Sequence, residues 1–101
     1  MAAFMKVAAL GDVRPGQART VDLNGTPIAL FNVEGAVHAT DNTCAHRGGP
    51  LGEGSLSGSV VTCPWHGFQF DVTTGACRTN PALRVPCRAV RIEGEDILVE
   101  G

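Results

Sequence analysis

One lysine, Lys6, stands in a chain of 101 residues, beside seven scattered arginines and ten acidic side chains. With a formal charge of −2, the chain carries no basic footprint for nucleic acid. Long hydrophobic runs are also missing. No segment approaches the ~20 apolar residues that a spanning helix needs. The opening stretch MAAFMKVAALGD is not a convincing signal peptide, because Lys6 interrupts its apolar run and no basic n-region precedes it. The four cysteines lack the spacing of a disulfide framework, which suits a reducing compartment. The expectation is a cytoplasmic protein without a nucleic-acid or membrane partner. No internal repeat, low-complexity linker or long 3.6-residue periodicity occurs, so no helix is indicated.

The chain has an ordinary globular balance, with 44% hydrophobic and 18% charged residues. The length fits one domain, which should bury ~65% of its unfolded surface. Thirteen glycines suggest many turns and close backbone approaches. Short β-branched and apolar runs alternate with Gly, Asn, Asp and Pro signals. MKVAAL reads as a first strand. ARTVDL and PIALFNV flank Asn24-Gly25, a strong hairpin signal. A turn at Glu34-Gly35 feeds a strand around Val37, and GSVVTC is a short strand delivering Cys63. GFQFDVTTGAC reads as strand, turn at Thr74-Gly75, strand, and RVPCRAVRIEGEDILVEG as a last hairpin turning at Gly94. Pro86 predicts an edge position or a bulge. The fold class is all-β, a sandwich or barrel.

Between Cys44 and His66 lie two mixed pairs: C-x-H, sixteen residues, then C-x-x-H. Each pair sits in a loop after a predicted strand. Two loops at one end of a β-structure can face each other and gather Cys44, His46, Cys63 and His66 around one site. Thiolate and neutral imidazole both bind zinc and iron. Gly48, Gly49, Gly52, Gly54 and Gly67 would let backbone N–H groups approach a cluster closely. Pro50 and Pro64 would restrict the loops. A Cys2His2 structural zinc site is one reading. Zinc modules usually begin with a C-x2-4-C knuckle, however, whereas each half here mixes one Cys with one His. Mixed halves suit a two-iron, two-sulfide cluster, one iron on the cysteines and the other on the histidines, the ligand division of a Rieske centre.

On CAHRGGPLGEG and TCPWHGFQFDVTTG, the chain closely resembles the Rieske ferredoxins over nearly its whole length. The resemblance implies an antiparallel sandwich or barrel base, residues 1–40 and 82–101, carrying a small cluster-binding subdomain over about 41–81. It implies Cys44 and Cys63 on a buried iron and His46 and His66 on an outer iron near solvent. The stretch TNPALR around Pro81 is similar to the family's proline loop, which covers the cluster from a third side.

Respiratory quinol-oxidising members carry a disulfide between the cluster loops, at positions that here are Gly49 and Trp65. Their Ser and Tyr donors to cluster and ligand sulfur match Phe68 and Phe70. The resemblance therefore implies a potential at the low end of about −150 to +300 mV. It implies a one-electron carrier, no enzyme alone, that takes electrons from a flavin-dependent reductase and passes them to a terminal ring-hydroxylating oxygenase. Fusion to an oxygenase catalytic domain is not expected in so short a chain. The alternatives are a small subunit of assimilatory nitrite reductase and, in another class, a zinc-stabilised interaction module. A docking face of Gly48, Pro50, Leu51, Trp65 and Pro81 is expected beside the histidines, with Trp65 either docking or shielding the cluster from water.

Outside the motif, His38 is expected on a strand surface, away from the ligands. Cys77 and Cys87 are expected as buried free thiols. Arg84, Arg88 and Arg91 form either a solvated strand face or a patch for an acidic partner. Arg47 is expected to steer an acidic partner from the rim of the site.

Overall fold

Asn24 and Gly25 both adopt positive φ, 51° and 92°, the conformation of a two-residue hairpin turn whose twist matches that of its strands. The turn joins β2 (Ala18–Leu23) to β3 (Thr26–Val33) in the computed structural model, which describes residues 3–43, 49–65 and 67–100. Glu34 and Gly35 repeat the geometry, at 52° and 98°, and lead into β4 (Ala36–Asp41). Side chains brace both turns. Gly25 N–H donates to Asp22 Oδ2 at 3.1 Å, and Gly35 N–H to Asn32 Oδ1 at 2.7 Å.

Among the described residues there are three antiparallel sheets. In the first, β1 (Phe4–Ala9), β10 (Asp96–Glu100) and β9 (Val90–Glu93) pair in the order β1-β10-β9, with an irregularity between Lys6 and Ala8. In the second, the order is β2-β3-β4-β8, where β8 is Cys87–Arg88. The third is β5 (Ser55–Ser57), β6 (Val60–Thr62) and β7 (Gln69–Asp71), in sequence order. Apart from strands, regular structure among the described residues is limited to 3-10 turns at Leu10–Asp12 and Leu51–Glu53. No helix among the described residues is long and apolar enough to cross a membrane.

Strand β3 explains how the sheets stack. Ile28 to Asn32 are all buried, as expected for a strand covered on both faces. Successive side chains point to opposite faces. Ile28 and Leu30 join Val13, Leu23, Ala39, Ile97 and Val99 in one core, against the first sheet. Ala29 and Phe31 join Leu51, Val61, Cys63, Phe70, Val72, Cys77 and Val85 in the other, against the third sheet. The second sheet is thus the middle of three layers. Asn32, the polar residue in this run, is satisfied at both ends: its Nδ2 donates to Val13 O at 3.0 Å and its Oδ1 accepts from Gly35.

Two predicted elements come out differently. The segment after Gly75 forms no strand. It makes isolated bridges, Phe70 with Cys77 and Ala76 with Arg84, because its backbone bonds are divided between β7 on one side and residues 83–85 on the other. The final stretch forms the expected hairpin turning at Gly94 only from Val90 onward, where β9 pairs with β10. It changes sheets at Ala89, so that Cys87–Arg88 edges the second sheet on β4 while Val90–Glu93 pairs with β10 in the first. Pro86 sits just before the edge strand β8, and its carbonyl accepts the Asp41 N–H at 3.0 Å, a place that needs no donor from proline.

Candidate metal centre

Strand β4 ends at Asp41, and the next residue, Asn42, ties down both ends of the first loop. Its backbone carbonyl accepts the Leu51 N–H at 2.8 Å. Its side-chain Oδ1 accepts the Gly52 N–H at 2.8 Å and the Thr20 hydroxyl at 3.1 Å. Thr43 and Pro50 bridge, on either side of residues 44–49 in the sequence. Cys44, His46, Arg47 and Gly48 lie outside the described residues, as does His66.

The second loop comes after β6. Cys63 is 1% exposed, and its N–H donates to Phe68 O at 2.7 Å, closing the turn over residues 64–67. Gly67 within it has φ of 71°, which favours glycine.

The two loops meet at Gly49. A Cβ there would lie 2.8 Å from Cys63 Sγ, 2.9 Å from Trp65 Cγ and 3.0 Å from Trp65 Cβ. Only a residue without a side chain allows this approach. Cys63 thus lies buried beside the first loop, at the end of a strand, and cysteine is a residue type that can ligate iron or zinc. The donor set the sequence predicts, two soft thiolates and two imidazoles from these loops, is chemically fit for an iron–sulfur cluster. Among the described residues, no three His, Cys, Asp or Glu side chains gather to hold a metal.

A third segment packs nearby. Thr79 Oγ1 accepts the Gln69 N–H at 3.0 Å, and the Asn80 N–H donates to Cys77 Sγ at 3.3 Å. Asn80 Oδ1 accepts the Ala82 N–H at 3.0 Å, which shapes the turn around exposed Pro81. Cys77 itself belongs to the same core cluster as Cys63.

Several residues are placed differently from expectation. The Gly52 and Gly54 amides are already engaged, donating to Asn42 Oδ1 and to Leu51 O. A Cβ on Gly52 would strike the Thr20 backbone and hydroxyl, and one on Gly54 would strike the Thr62 carbonyl, so both serve strand packing. Leu51 is fully buried and cannot join a docking face. Trp65 is 51% exposed, and Pro50 is half-buried. Cys77 is buried and free as expected, but Cys87 is exposed, on the edge strand. Partial burial nonetheless pushes the Cys87 thiol up, against the opposing charge of Arg84. The arginine patch dissolves into separate partners. Arg88 Nε meets Asp41 Oδ1 at 2.8 Å, Arg84 Nη2 donates to Thr74 O at 2.9 Å, and Arg91 lies 4.4 Å over the Phe4 ring. His38, half-buried on β4 opposite Phe31, lines a cleft of about 330 Å³ with Thr73, Cys87 and Arg88. Asn42 is not among the residues the sequence singles out. Its signal is weak: a turn-favouring amide directly after a strand and before a glycine-rich loop.

Known proteins share this architecture. Residues 3–93 match the family described as Rieske [2Fe-2S] domain. The ferredoxin component of biphenyl 2,3-dioxygenase from Rhodococcus jostii (strain RHA1) is 39% identical over 100 residues, covering 97% of this chain and 92% of that protein. A solved complex of reduced oxygenase and oxidised ferredoxin in carbazole 1,9a-dioxygenase contains a chain of the same fold, with a TM-score of 0.89 and 35% identity, covering 97% of this chain and 93% of that one. A Mycobacterium tuberculosis protein, proposed as the small subunit of an NADH-dependent nitrite reductase, has a TM-score of 0.89 at 26% identity, covering 100% of this chain and 96% of that one.

Proposed function

The chain belongs to the Rieske [2Fe-2S] domain family, and from that premise we propose that it is the ferredoxin of a multicomponent oxygenase, carrying single electrons from a flavin-dependent reductase to a terminal ring-hydroxylating oxygenase. Its cofactor is one Rieske-type [2Fe-2S] cluster. When bound, that group takes up and gives back one electron without making or breaking a bond to substrate. The observation that carries the oxygenase reading is the likeness, over nearly the whole of both chains, to a protein solved in complex with its oxygenase.

The chain's own residues supply binding, burial and access. Cys44 and Cys63 hold one iron, and His46 and His66 the other, with residues 41–81 as the cluster-binding subdomain and residues 1–40 and 82–101 as its base. Support comes from Cys63, buried where the first loop touches its sulfur, and from β5, β6 and β7, which fall wholly inside that subdomain. Phe70, fully buried in the Cys63 core cluster, brings no hydroxyl to the sulfur. Without that donor the reduced form is stabilised less, which favours the low end of the Rieske range. With a cluster bound, the His46 and His66 side chains would offer the electron its way out. Trp65, Pro50 and Pro81, all at least partly exposed, then form a small docking face, and the charge of Arg47 steers an acidic partner. Weak redox encounters bury less than ~1,200 Å².

Reconstitution tests this. Purified protein is combined with NADH, a flavin-dependent ferredoxin reductase and a terminal oxygenase of a biphenyl or carbazole system. Hydroxylated product that requires the ferredoxin supports the proposal; product formation that is indifferent to it refutes the proposal. Full-length likeness to the nitrite reductase small subunit favours a second reading, in which the chain co-purifies with a sirohaem protein and does not support hydroxylation.

A further inference from the structure

Two glycines in the cluster loops have different reasons to be glycine. Gly67 has φ of 71° and nothing within 4 Å of where a Cβ would stand, so its backbone conformation alone demands the residue. Gly49 has no such φ. Its constraint is space, since a Cβ would press on Cys63 Sγ and on the Cβ and Cγ of Trp65. Gly49 is buried and Cys63 is 1% exposed, yet Trp65, which covers Gly49, is 51% exposed. The single tryptophan of the chain therefore has one side against the junction of the two loops and the other toward solvent. Gly49 and Trp65 form a size-matched pair, the smallest residue beneath the largest.

We propose that Trp65 is a clasp: seated on Gly49, it pins the first cluster loop to the second and keeps water from the Cys63 sulfur. The proposal rests on Cys63 being a cluster ligand. Each loop is closed at its own base, the first by the Thr43–Pro50 bridge and the second by Cys63 N–H to Phe68 O. At Gly49 the loops meet by packing, and such contact is lost outright when a neighbouring group is removed. Trp65 is thus a positioning residue. It holds the geometry and dryness of the metal centre without touching substrate.

The test uses holoprotein carrying Trp65→Ala or Trp65→Phe, with Cys63→Ser as a separate control. Bleaching by an excess of iron chelator is followed anaerobically in the visible spectrum. Deuterium coupling to the reduced cluster in D2O is read by pulsed electron paramagnetic resonance. In Trp65→Ala, bleaching should quicken about tenfold, as for a loss of ~1.4 kcal/mol, and the deuterium coupling should grow. Trp65→Phe, which keeps an aromatic ring over Gly49, should restore both to near the unsubstituted values. Wild-type bleaching and coupling in Trp65→Ala, or a Phe variant as fast as the Ala variant, overturn the clasp while leaving the ligand assignment standing. A normal cluster in Cys63→Ser overturns the ligand assignment and, with it, the clasp.

Discussion

Asn42→Ala should loosen the whole attachment of the first cluster loop, and the cost can be worked from three bonds. The side-chain Oδ1 accepts from Gly52 N–H and from the Thr20 hydroxyl, while the backbone carbonyl to Leu51 survives the substitution. Gly52 is buried, so its amide loses its acceptor where water cannot easily replace it, a penalty of about 1–3 kcal/mol. Thr20 is exposed, and its hydroxyl can turn to water, so its share is about 0.5–1 kcal/mol. Together these give about 1.5–4 kcal/mol, which for a domain of this size lowers Tm by roughly 6–30 °C. The assay is thermal unfolding of holoprotein by circular dichroism at one fixed scan rate, with cluster absorbance followed in parallel. Thr20→Val alone should cost no more than about 1 kcal/mol and should cost almost nothing in the Asn42→Ala background, because the shared partner is already gone. If Asn42→Ala unfolds within about 0.5 kcal/mol of the unsubstituted protein, or if the two substitutions simply add, Asn42 is not the tie described.

Two further outcomes concern the edge of the middle layer and the turn beside it. The Thr73 hydroxyl and N–H both donate to Asp71 Oδ1, and the hydroxyl bond leads in holding that carboxyl below its ordinary value of 3.8. A depressed folded pKa means that the contribution is complete above the ordinary value and is lost as pH falls through the folded one. Thr73→Val should therefore raise the Asp71 pKa, seen by NMR titration, and flatten the loss of stability below about pH 4. No movement of the Asp71 resonance would refute the assignment. At Cys87, burial raises the thiol pKa while Arg84 opposes the rise. Alkylation near pH 8, monitored by mass spectrometry, should be slower than for a small free thiol and slower still in Arg84→Gln; faster reaction in that variant would contradict the stated causes.

How far the fold is legible in the sequence depends on the range of each signal. Asn24-Gly25 and Glu34-Gly35 are local statements about backbone conformation, and the β2-β3-β4 meander grows from them almost residue for residue. The change of sheet at Ala89 is invisible locally, because it is decided by which edges β4 and β10 leave open for Cys87–Arg88 and Val90–Glu93. In sequence, Gly52 and Gly54 look like companions of Gly49 because all three share one loop motif. Only the atom opposite separates them: Thr20 backbone, Thr62 carbonyl and Cys63 sulfur respectively. Sequence neighbours place Leu51 on a docking face, whereas the Phe31 and Val61 core claims it. Asn42 escapes sequence reading because its partner Thr20 lies 22 residues away on another strand. The family is legible from the C-x-H and C-x-x-H spacing, since ligand chemistry fixes residue types more narrowly than packing does.

The most direct test of the central claim is an anaerobic redox titration of the purified protein, with metal and sulfide analysis and electron paramagnetic resonance at each potential. The account predicts about two irons and two sulfides per chain. It also predicts a Rieske-type signal that grows in only toward the low end of the range from about −150 to +300 mV. Zinc in place of iron, with no signal at any potential, would contradict it.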